Sequence, residues 1–492
     1  MTGPLRALAA ALAFAAVSAC GHRPEQRVEV ASAAALHPPS IAATHVPPPW
    51  SAADVRALQA QLREAFGGAE LANSGIAVVD AAGRPLFVRR ERTPMTPAST
   101  FKLLVSASAY RILGPRFRFT TTLEAQDDPS DGTIHGDVYL VGSGDPTLTR
   151  DDLRAGIGAL YQAGIRKITG SIVADASAFS GPEVNRFWDP DDLQYDYAAG
   201  TSALSLDQGT VEFDVIPTTP GAPARIVANP SSDAVRWTGS VMTSYTTMLT
   251  IQRAPEKNDF TFDGRIAAGA QQAFWRPVIG MPLYAAGVAR MMLRQRGIEV
   301  DGGIRTGLAP LTPAVLWRHR SAPLSEIVKQ MLLVSNNHFA EQLLRAVGAT
   351  TGAGTEASGG RVERAVLKQT EVPDEGLRIV DGSGLAPVDR VAPLTLALLL
   401  AHTAAESTGT QFVRELPRAG IEGTVKYHQL TDGLGRVRAK SGHIEGVNAL
   451  AGYVDTRRHG RVSFVIIVNG PNADGGGVYD GMDKALDDIA RS

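Results

Sequence analysis

The sequence predicts an α/β fold of the α+β kind, in which one domain is split by a large, mostly β insertion. Three stretches indicate this: helix, two strands and helix in residues 51–118, short β-like runs in 119–278, and helices followed by strands and a last helix in 279–492. A sheet must bury its apolar face against another layer. We therefore expect the first and last stretches to form one domain around the insertion.

Composition limits the class of protein and its partners. The chain has 492 residues, enough for about three domains or one domain with large insertions. It is 44% hydrophobic and 20% charged, as in globular proteins, and its net charge of −2 argues against nucleic acid as the main partner. A single cysteine excludes an internal disulfide, and the histidines lack metal-ligand spacing. We therefore expect no metal and no other cofactor.

The first 50 residues indicate export. Residues 1–19 form a predicted signal peptide, with Arg6 before an apolar run too short to span a bilayer. Val17–Cys20 resembles the lipobox of bacterial lipoproteins, whose cysteine carries the lipid; ordinary cleavage beside an incidental cysteine is the alternative. Residues 20–50 are rich in Pro and Ala and predict a tether. We expect a periplasmic protein anchored to a membrane through Cys20, and Gly21, which is not acidic, favours the outer membrane.

Residue periodicity places the elements of the two outer stretches. Ser51 and Asp54 form a capping-box start for a first helix. Apolar residues that recur every three or four positions predict helices, and short β-branched runs between turn residues predict strands. The predicted strands are Gly75–Val79, Leu86–Arg90, Val437–Ser441, Ala449–Val454 and Val462–Val468, and the other predicted helices are Ser99–Leu113, Leu283–Arg296, Leu324–Val334, Asn336–Val347 and Tyr479–Ala490.

Residues 119–278 differ in character from the rest of the chain. Turn signals such as Gly142–Pro146 separate short β-like runs, and no fixed period repeats. We expect a β-rich insertion that forms one lobe or two nested lobes. Its predicted strands are Phe119–Leu123, Gly136–Leu140, Ser171–Ala174, Thr210–Ile216 and Met248–Ile251.

The first candidate for chemistry is the pair Ser99 and Lys102. The two residues are three apart at the start of a predicted helix, and so share one face of its first turn. A serine hydroxyl becomes a nucleophile when a base removes its proton, and a lysine is such a base where its surroundings favour the neutral amine. The helix N-terminus adds N–H groups for an oxyanion. A Ser-x-x-Lys pair on a surface helix is the alternative.

Two later motifs follow in order along the chain. Ser335–Asn337 lies at a break between two predicted helices, and Lys440–Gly442 lies on a predicted strand. Together with Ser99 and Lys102 they resemble the Ser-x-x-Lys, Ser-x-Asn and Lys-Thr-Gly motifs of penicillin-binding proteins and serine β-lactamases. The resemblance implies a β-lactamase/transpeptidase-like domain, in residues 51–118 and 279–492, that forms an acyl-enzyme on Ser99.

The same resemblance implies a role for each motif residue. Ser99 attacks a carbonyl carbon, and Lys102 is the base, kept neutral by partial burial and by the like charge of Lys440. Ser335 passes a proton to the leaving amine, and Asn337 binds the peptide backbone of the substrate. Lys440 and Ser441 suit a substrate carboxylate, and the N–H groups of Ser99 and His443 suit an oxyanion. The implied substrate-binding residues of the third motif are Ser441, Gly442 and His443.

Further stretches narrow the resemblance to one family. Leu140–Leu148, Ala174–Phe179 and Asp381–Leu385, with the long insertion, are similar to the D-alanyl-D-alanine carboxypeptidase/endopeptidases, the class C penicillin-binding proteins of low molecular mass (penicillin-binding protein 4 type). The similarity covers residues 51–492. It implies that the enzyme cleaves D-Ala-D-Ala ends or D-Ala-diaminopimelate cross-links of peptidoglycan stem peptides, and that β-lactams inhibit it. The similarity also implies that Asp192 faces the diaminopimelyl end of the substrate. The alternative is that Asp192 belongs to a solvated acidic loop.

The chain departs from the family pattern at three positions. Ser441 replaces the usual threonine but keeps the hydroxyl. His443 stands where a small hydroxyl residue is common, so its side chain is expected to narrow the cleft. Pro387 stands where the family often has an arginine that helps to bind the substrate side chain, and Arg390 is near but out of register. The sequence therefore does not show which residue binds the substrate side chain.

Two other functions fit the same motifs. A β-lactamase or esterase on this scaffold would differ by fast deacylation. A catalytically silent, wall-binding lipoprotein would fit the altered third motif. The large insertion favours a peptidase, because a polymeric substrate can use an extended docking surface. Of the remaining polar residues, we expect His338 to be a packing or surface residue and Ser383 to lie in a turn that lines the site.

Overall fold

The computed structural model describes residues 47–492 apart from Asp233 and Ala270. The predicted signal peptide, Cys20 and the tether up to residue 46 lie outside these residues. In the described part of the chain, no helix has the length and apolarity needed to cross a membrane.

The helices and strands of the described residues are numbered in chain order. The α-helices are α1 Ala52–Ala65, α2 Lys102–Ile112, α3 Arg150–Gln162, α4 Met281–Arg296, α5 Leu324–Val334, α6 Asn337–Ala349, α7 Glu356–Gln369, α8 Pro393–Ala405, α9 Gly409–Glu415 and α10 Gly476–Arg491. The strands of the first 200 residues are β1 Ser74–Asp80, β2 Pro85–Arg89, β3 Thr120–Ala125, β4 Thr133–Ile134, β5 Val138–Gly142, β6 Lys167–Ile168 and β7 Ile172–Asp175. The later strands are β8 Thr210–Ile216, β9 Arg225–Asn229, β10 Arg236–Gly239, β11 Met242–Ser244, β12 Met248–Arg253, β13 Asp259–Ala267, β14 Gln272–Pro277, β15 Glu299–Val300, β16 Ile304–Thr306, β17 Ala314–Arg320, β18 Val437–Ile444, β19 Val447–Asp455 and β20 Arg461–Asn469.

The central sheet joins the two ends of the chain. Its five antiparallel strands follow the order β18-β19-β20-β1-β2, and β1 pairs with β20 along its whole length. Ile76 and Val78 of β1 face a core formed with α1 and α10, whereas Ala77 and Val79 face a core formed with α2 and α5–α9. Because both faces of the sheet are buried, its three inner strands β1, β19 and β20 are largely apolar and buried almost throughout.

The packed chain begins before the predicted end of the tether. Trp50 is buried and stacks on His459, with 4.2 Å between the ring centroids. The Nδ1 atom of His459 lies 3.0 Å from the carbonyl oxygen of Pro48. Ser51 and Asp54 then form the predicted capping box of α1. The residues just before Ser51 therefore belong to the domain rather than to the tether.

The insertion ends later than predicted. β17 pairs with β3 in a five-stranded sheet of order β16-β7-β5-β3-β17, so Ala314–Arg320 belongs to the insertion. Helix α4 also packs into the core of the insertion, through residues such as Met281 and Tyr284. The boundary at residue 278 is therefore wrong, and the insertion extends to Arg320. The amphipathic pattern of α4 predicts a helix but does not show which sheet it covers.

Strands β8–β14 form two further sheets inside the insertion. One has the order β14-β8-β9, and in the other β10, β11 and β12 pair with β13. They share a hydrophobic core with α3 and α4. Helix α3 interrupts a stretch predicted to be β-rich, although Thr149 and Asp152 form a capping box at its start.

Candidate active site

Ser99 lies on a short turn rather than in the first turn of an α-helix. Ala98–Phe101 is a 3₁₀ turn that leads directly into α2. The turn is closed by the Thr100 hydroxyl, which donates to the Pro97 carbonyl oxygen at 2.7 Å. The predicted helix start at Ser99 is therefore shifted to Lys102, but the two residues remain one turn apart.

Two glycines allow other backbone segments to touch this turn. A Cβ atom on Gly442 of β18 would lie 2.8 Å from the Pro97 carbonyl oxygen and 3.0 Å from the Ser99 nitrogen. Gly384 has a φ of +75°, and its Cβ would lie 2.0 Å from the Ala98 carbonyl oxygen. Such contacts are too short for real side chains, so both positions require glycine. The third motif is thereby held against the Ser99 turn.

The Lys102 amine has three oxygen neighbours. Its Nζ lies 2.8 Å from Ser99 Oγ, 2.6 Å from Asn337 Oδ1 and 2.9 Å from the Ser383 carbonyl oxygen. The amide and carbonyl oxygens can only accept hydrogen bonds. A neutral amine directs its two N–H groups at these two oxygens and its lone pair at the Ser99 hydroxyl. This arrangement suits proton transfer from Ser99 to Lys102.

Burial controls the charge of both lysines at the site. Lys102 and Lys440 are each 0% exposed. Burial lowers the pKa of Lys102 to about 7, against the opposing charges of Asp381 and Glu341. The pKa of Lys440 is held well below its ordinary value, mainly by burial and to a smaller extent by the charge of Lys102. The expectation that Lys440 keeps Lys102 neutral is therefore corrected: removal from water is the main cause.

The second motif lies between α5 and α6. Ser335 has a φ of +60°, and this left-handed residue ends α5. Asn336 caps α6 by accepting from the Phe339 N–H at 3.0 Å. Asn337 accepts from Lys102, and its Nδ2 donates to the Tyr197 carbonyl oxygen at 2.9 Å. Both ends of the Asn337 amide thus contact protein, whereas the sequence predicted a contact with substrate.

The third motif lines the cleft from β18. Lys440 Nζ donates to the Ser441 carbonyl oxygen at 2.5 Å, and the Ser441 hydroxyl donates to the Thr424 hydroxyl at 2.7 Å. The side chain of His443 is 61% exposed, with Nδ1 3.4 Å from an oxygen of Asp474. The Ser441 hydroxyl is therefore positioned by Thr424, whereas the His443 ring is largely exposed to solvent.

One cavity of about 490 Å³ brings the motifs together. It exposes a residue of each motif to the same space, and Thr424, Tyr427 and Tyr479 also line it. Its lining residues are Ser99, Ser335, Thr424, Tyr427, His428, Ser441, Gly442, His443, Asn448, Ala449 and Tyr479.

Asp192 lies on the insertion side, apart from this cavity. It begins a 3₁₀ turn and accepts from the Tyr197 hydroxyl at 2.7 Å. Burial raises the pKa of Asp192, and the neighbouring charges of Asp189 and Asp191 add to this effect. Since the Tyr197 carbonyl contacts Asn337, Asp192 is linked to the second motif through one residue. A contact between Asp192 and substrate remains a prediction.

Three residues near Lys102 are not among the predicted site residues. Glu341 follows Asn337 by four residues and so shares its face of α6, a spacing that could have indicated it. Asp381 begins the Asp381–Leu385 stretch. The sequence of this stretch indicates the family, but it does not indicate that Asp381 lies near Lys102. No sequence pattern indicates Tyr197. Ser383 lies in a turn at the site, as expected, but contributes its carbonyl oxygen.

The fold and the arrangement of the motifs define the class of protein: a hydrolase with a β-lactamase/transpeptidase-like fold. A family model described as the D-Ala-D-Ala carboxypeptidase 3 (S13) family matches residues 56–490. The chain belongs to this family, which confirms the family predicted from the motifs.

Individual relatives agree with this assignment. A D-alanyl-D-alanine carboxypeptidase of Actinomadura sp. (strain R39) is 33% identical over 424 residues, which cover 82% of this chain and 78% of the relative. A D-alanyl-D-alanine carboxypeptidase of Haemophilus influenzae is 28% identical, over 77% of this chain and 81% of its own. The crystal structure of penicillin binding protein 4 from H. influenzae has a TM-score of 0.75 at 24% identity, and covers 89% of this chain and 100% of that one. This last similarity shows the shared fold.

Proposed function

We propose that the protein is a serine D,D-peptidase that cleaves peptidoglycan stem peptides through an acyl-enzyme on Ser99. The observation that carries this proposal is the buried Lys102 amine, 2.8 Å from Ser99 Oγ, with two fixed acceptors that direct its lone pair at the hydroxyl. Family membership supports the substrate class. The protein needs no metal or other cofactor for this reaction.

The reaction has two steps. Lys102 takes the proton of Ser99 as Oγ bonds to the carbonyl carbon of the penultimate D-Ala, and the N–H groups of Ser99 and His443 stabilise the oxyanion. Ser335, which lines the cavity with Ser99, relays this proton from Lys102 to the leaving nitrogen as the C–N bond breaks, so that Lys102 is neutral again. Water then cleaves the ester with Lys102 again as base, and Lys440 and Ser441 bind a substrate carboxylate.

Two leaving groups are compatible with this site. Loss of a terminal D-Ala is carboxypeptidase activity, which the names of the family and of its relatives support. Loss of the diaminopimelyl amine of a cross-linked stem peptide is endopeptidase activity, and the large insertion supports it because a polymeric substrate can use an extended docking surface. β-Lactams are expected to acylate Ser99 in place of the substrate.

Covalent labelling with penicillin tests the assignment of Ser99. Purified full-length protein should be labelled, and Ser99→Ala should abolish labelling because the acyl group then has no oxygen to bond. Ser108→Ala is the matched control: it removes a buried hydroxyl of α2 that has no hydrogen-bond partner within the described residues. Labelling that persists in Ser99→Ala, or is lost in the control as well, would contradict the assignment.

Two assays separate the rival functions. A long-lived acyl-enzyme supports the peptidase, whereas rapid β-lactam hydrolysis would indicate a β-lactamase. Release of D-alanine from stem peptides would exclude a silent wall-binding protein. Mass spectrometry of products from cross-linked muropeptides distinguishes carboxypeptidase from endopeptidase activity.

We further propose that a lipid on Cys20 anchors the protein on the periplasmic side of a membrane, with the outer membrane preferred. The lipobox-like Val17–Cys20 stretch and the tether that follows support this location.

A further inference from the structure

We infer that Glu341 is a positioning residue for the serine–lysine pair: it holds the Ser383 carbonyl oxygen against Lys102, which keeps the lone pair of the amine directed at Ser99. This inference rests on the proposed function, because it assigns Glu341 a part in acylation of Ser99. Neither the three motifs nor the comparisons assign this residue a role.

Glu341 supports the loop that contacts Lys102. It lies on α6, one turn after Asn337, and is only 2% exposed. Its Oε1 accepts from the Ser383 N–H at 2.8 Å, and its two carboxylate oxygens accept from the Gly382 N–H at 3.1 and 3.0 Å. The carbonyl oxygen of the same Ser383 accepts from Lys102. Helix α6 therefore supplies one acceptor of the lysine directly, through Asn337, and fixes the other through Glu341.

Asp381 holds the same loop from its other side. Its Oδ1 accepts from the Gly384 N–H at 2.7 Å, and its Oδ2 accepts from the Ala386 N–H at 2.8 Å. The Trp188 indole N–H also donates to Oδ2, at 2.9 Å. Two buried carboxylates thus fix the loop, and Glu341 is the one bonded to Ser383 itself.

The charges around Lys102 come from several elements. Asp381 raises the pKa of Lys102, while burial lowers it more strongly. Burial, and then the charge of Asp381, raise the pKa of Glu341 to about 8. The charge of Glu341 is therefore largely absent below that pH, and Glu341 acts on the lysine through the hydrogen bonds that hold Ser383. The titratable groups that face this region are Lys440 from β18, Glu341 from α6, Asp381 and Asp389 from the loop, and Glu363 from α7.

The test is the pH profile of penicillin acylation of the full chain. In the wild type the acylation rate should fall at low pH as Lys102 is protonated. Glu341→Gln keeps an oxygen for the Ser383 N–H, so its plateau rate should stay close to that of the wild type. Glu341→Ala removes the hydrogen bonds to Gly382 and Ser383, and should lower the plateau rate about 10-fold.

Glu363→Ala is the matched control. It makes the same truncation at a buried glutamate of α7 whose carboxylate has no hydrogen-bond partner within the described residues. Its plateau rate should stay at the wild-type level. A wild-type plateau rate in Glu341→Ala, or an equal loss in the Glu363 control, would overturn the inference.

A second variant covers misfolding of Glu341→Ala. Asp381→Asn removes one of the two carboxylate oxygens that hold the other side of the loop, and its plateau rate should also fall; a wild-type plateau rate there would overturn the claim that the loop must be held. A wild type that penicillin does not acylate would refute the proposed function. An acylated wild type with unchanged rates in the variants would refute only the role of Glu341.

Discussion

His338 shows how burial sets the charge of a single residue beside the site. It follows Asn337 on α6 and is 3% exposed. Its Nδ1 lies 2.9 Å from the Gly200 carbonyl oxygen, which can only accept, so Nδ1 carries the proton. Burial lowers the pKa of His338 to about 4. The ring is therefore neutral at physiological pH, and the expectation of a packing role agrees with its place in the fold.

This residue predicts a pH dependence of stability. The folded pKa of about 4 lies below the ordinary value of 6.5, so the unfolded chain binds the proton first as pH falls. The free energy of unfolding should decrease between pH 6.5 and 4, with His338 contributing up to about 3 kcal/mol. Urea unfolding at several pH values should show a smaller decrease in His338→Asn, whose side-chain amide can still donate to Gly200.

An exposed histidine supplies the control for this prediction. His402 lies on the solvent side of α8, and His402→Asn should leave the pH dependence as in the wild type. Equal slopes in the wild type and His338→Asn would show that burial does not hold the His338 ring neutral.

At the level of elements, the site depends on how closely β18 approaches the Ser99 turn. Gly442→Ala would place a Cβ atom 2.8 Å from the Pro97 carbonyl oxygen, and neither backbone can move without displacing Ser99. Because small displacements of reacting groups lower the reaction rate strongly, penicillin acylation should slow at least about 100-fold. The rate constant for acylation measures this effect.

Gly158→Ala provides a contrast from an open position. Gly158 lies in α3, and a Cβ there would have no described atom within 4 Å. Because alanine favours helix, this change should stabilise the protein by about 0.5–1 kcal/mol and leave acylation unchanged. Wild-type acylation in Gly442→Ala would show that the close approach of β18 is not required.

At the scale of the whole molecule, anchoring through Cys20 makes its own prediction. Membranes of producing cells should hold the protein until detergent releases it, and Cys20→Ser should shift it to the soluble periplasmic fraction because no lipid can be attached. D-Alanine release from soluble peptides should be the same for both forms. Mass spectrometry of the N-terminal peptide is the direct measurement, and an unmodified Cys20 would refute the anchor.

The limits of sequence-based prediction are visible at this scale too. Ser99, Lys102 and Lys440 can be found because short motifs encode their chemistry locally. The bond from Trp188 to Asp381 joins residues 193 positions apart, and no local pattern contains it. The predicted insertion boundary is misplaced for the same reason, since only the pairing of β17 with β3 shows where Ala314–Arg320 belongs. Contacts between residues far apart in the sequence determine the insertion boundary and the surroundings of Lys102, and residue periodicity does not encode such contacts.

The contacts of α6 with the insertion also bear on how this protein can evolve. Three side chains of the helix contact main-chain carbonyl oxygens of the insertion; the pairs are Asn337 with Tyr197, His338 with Gly200, and Gln342 with Ser202. Every residue type supplies a carbonyl, so this segment can mutate and keep the bonds, except at Gly200, where a Cβ would lie 2.6 Å from the Glu183 carbonyl oxygen. Natural selection for these hydrogen bonds therefore acts on the helix side chains and on the length of the segment, while packing limits the buried residues of the segment, such as Ala198 and Ala199.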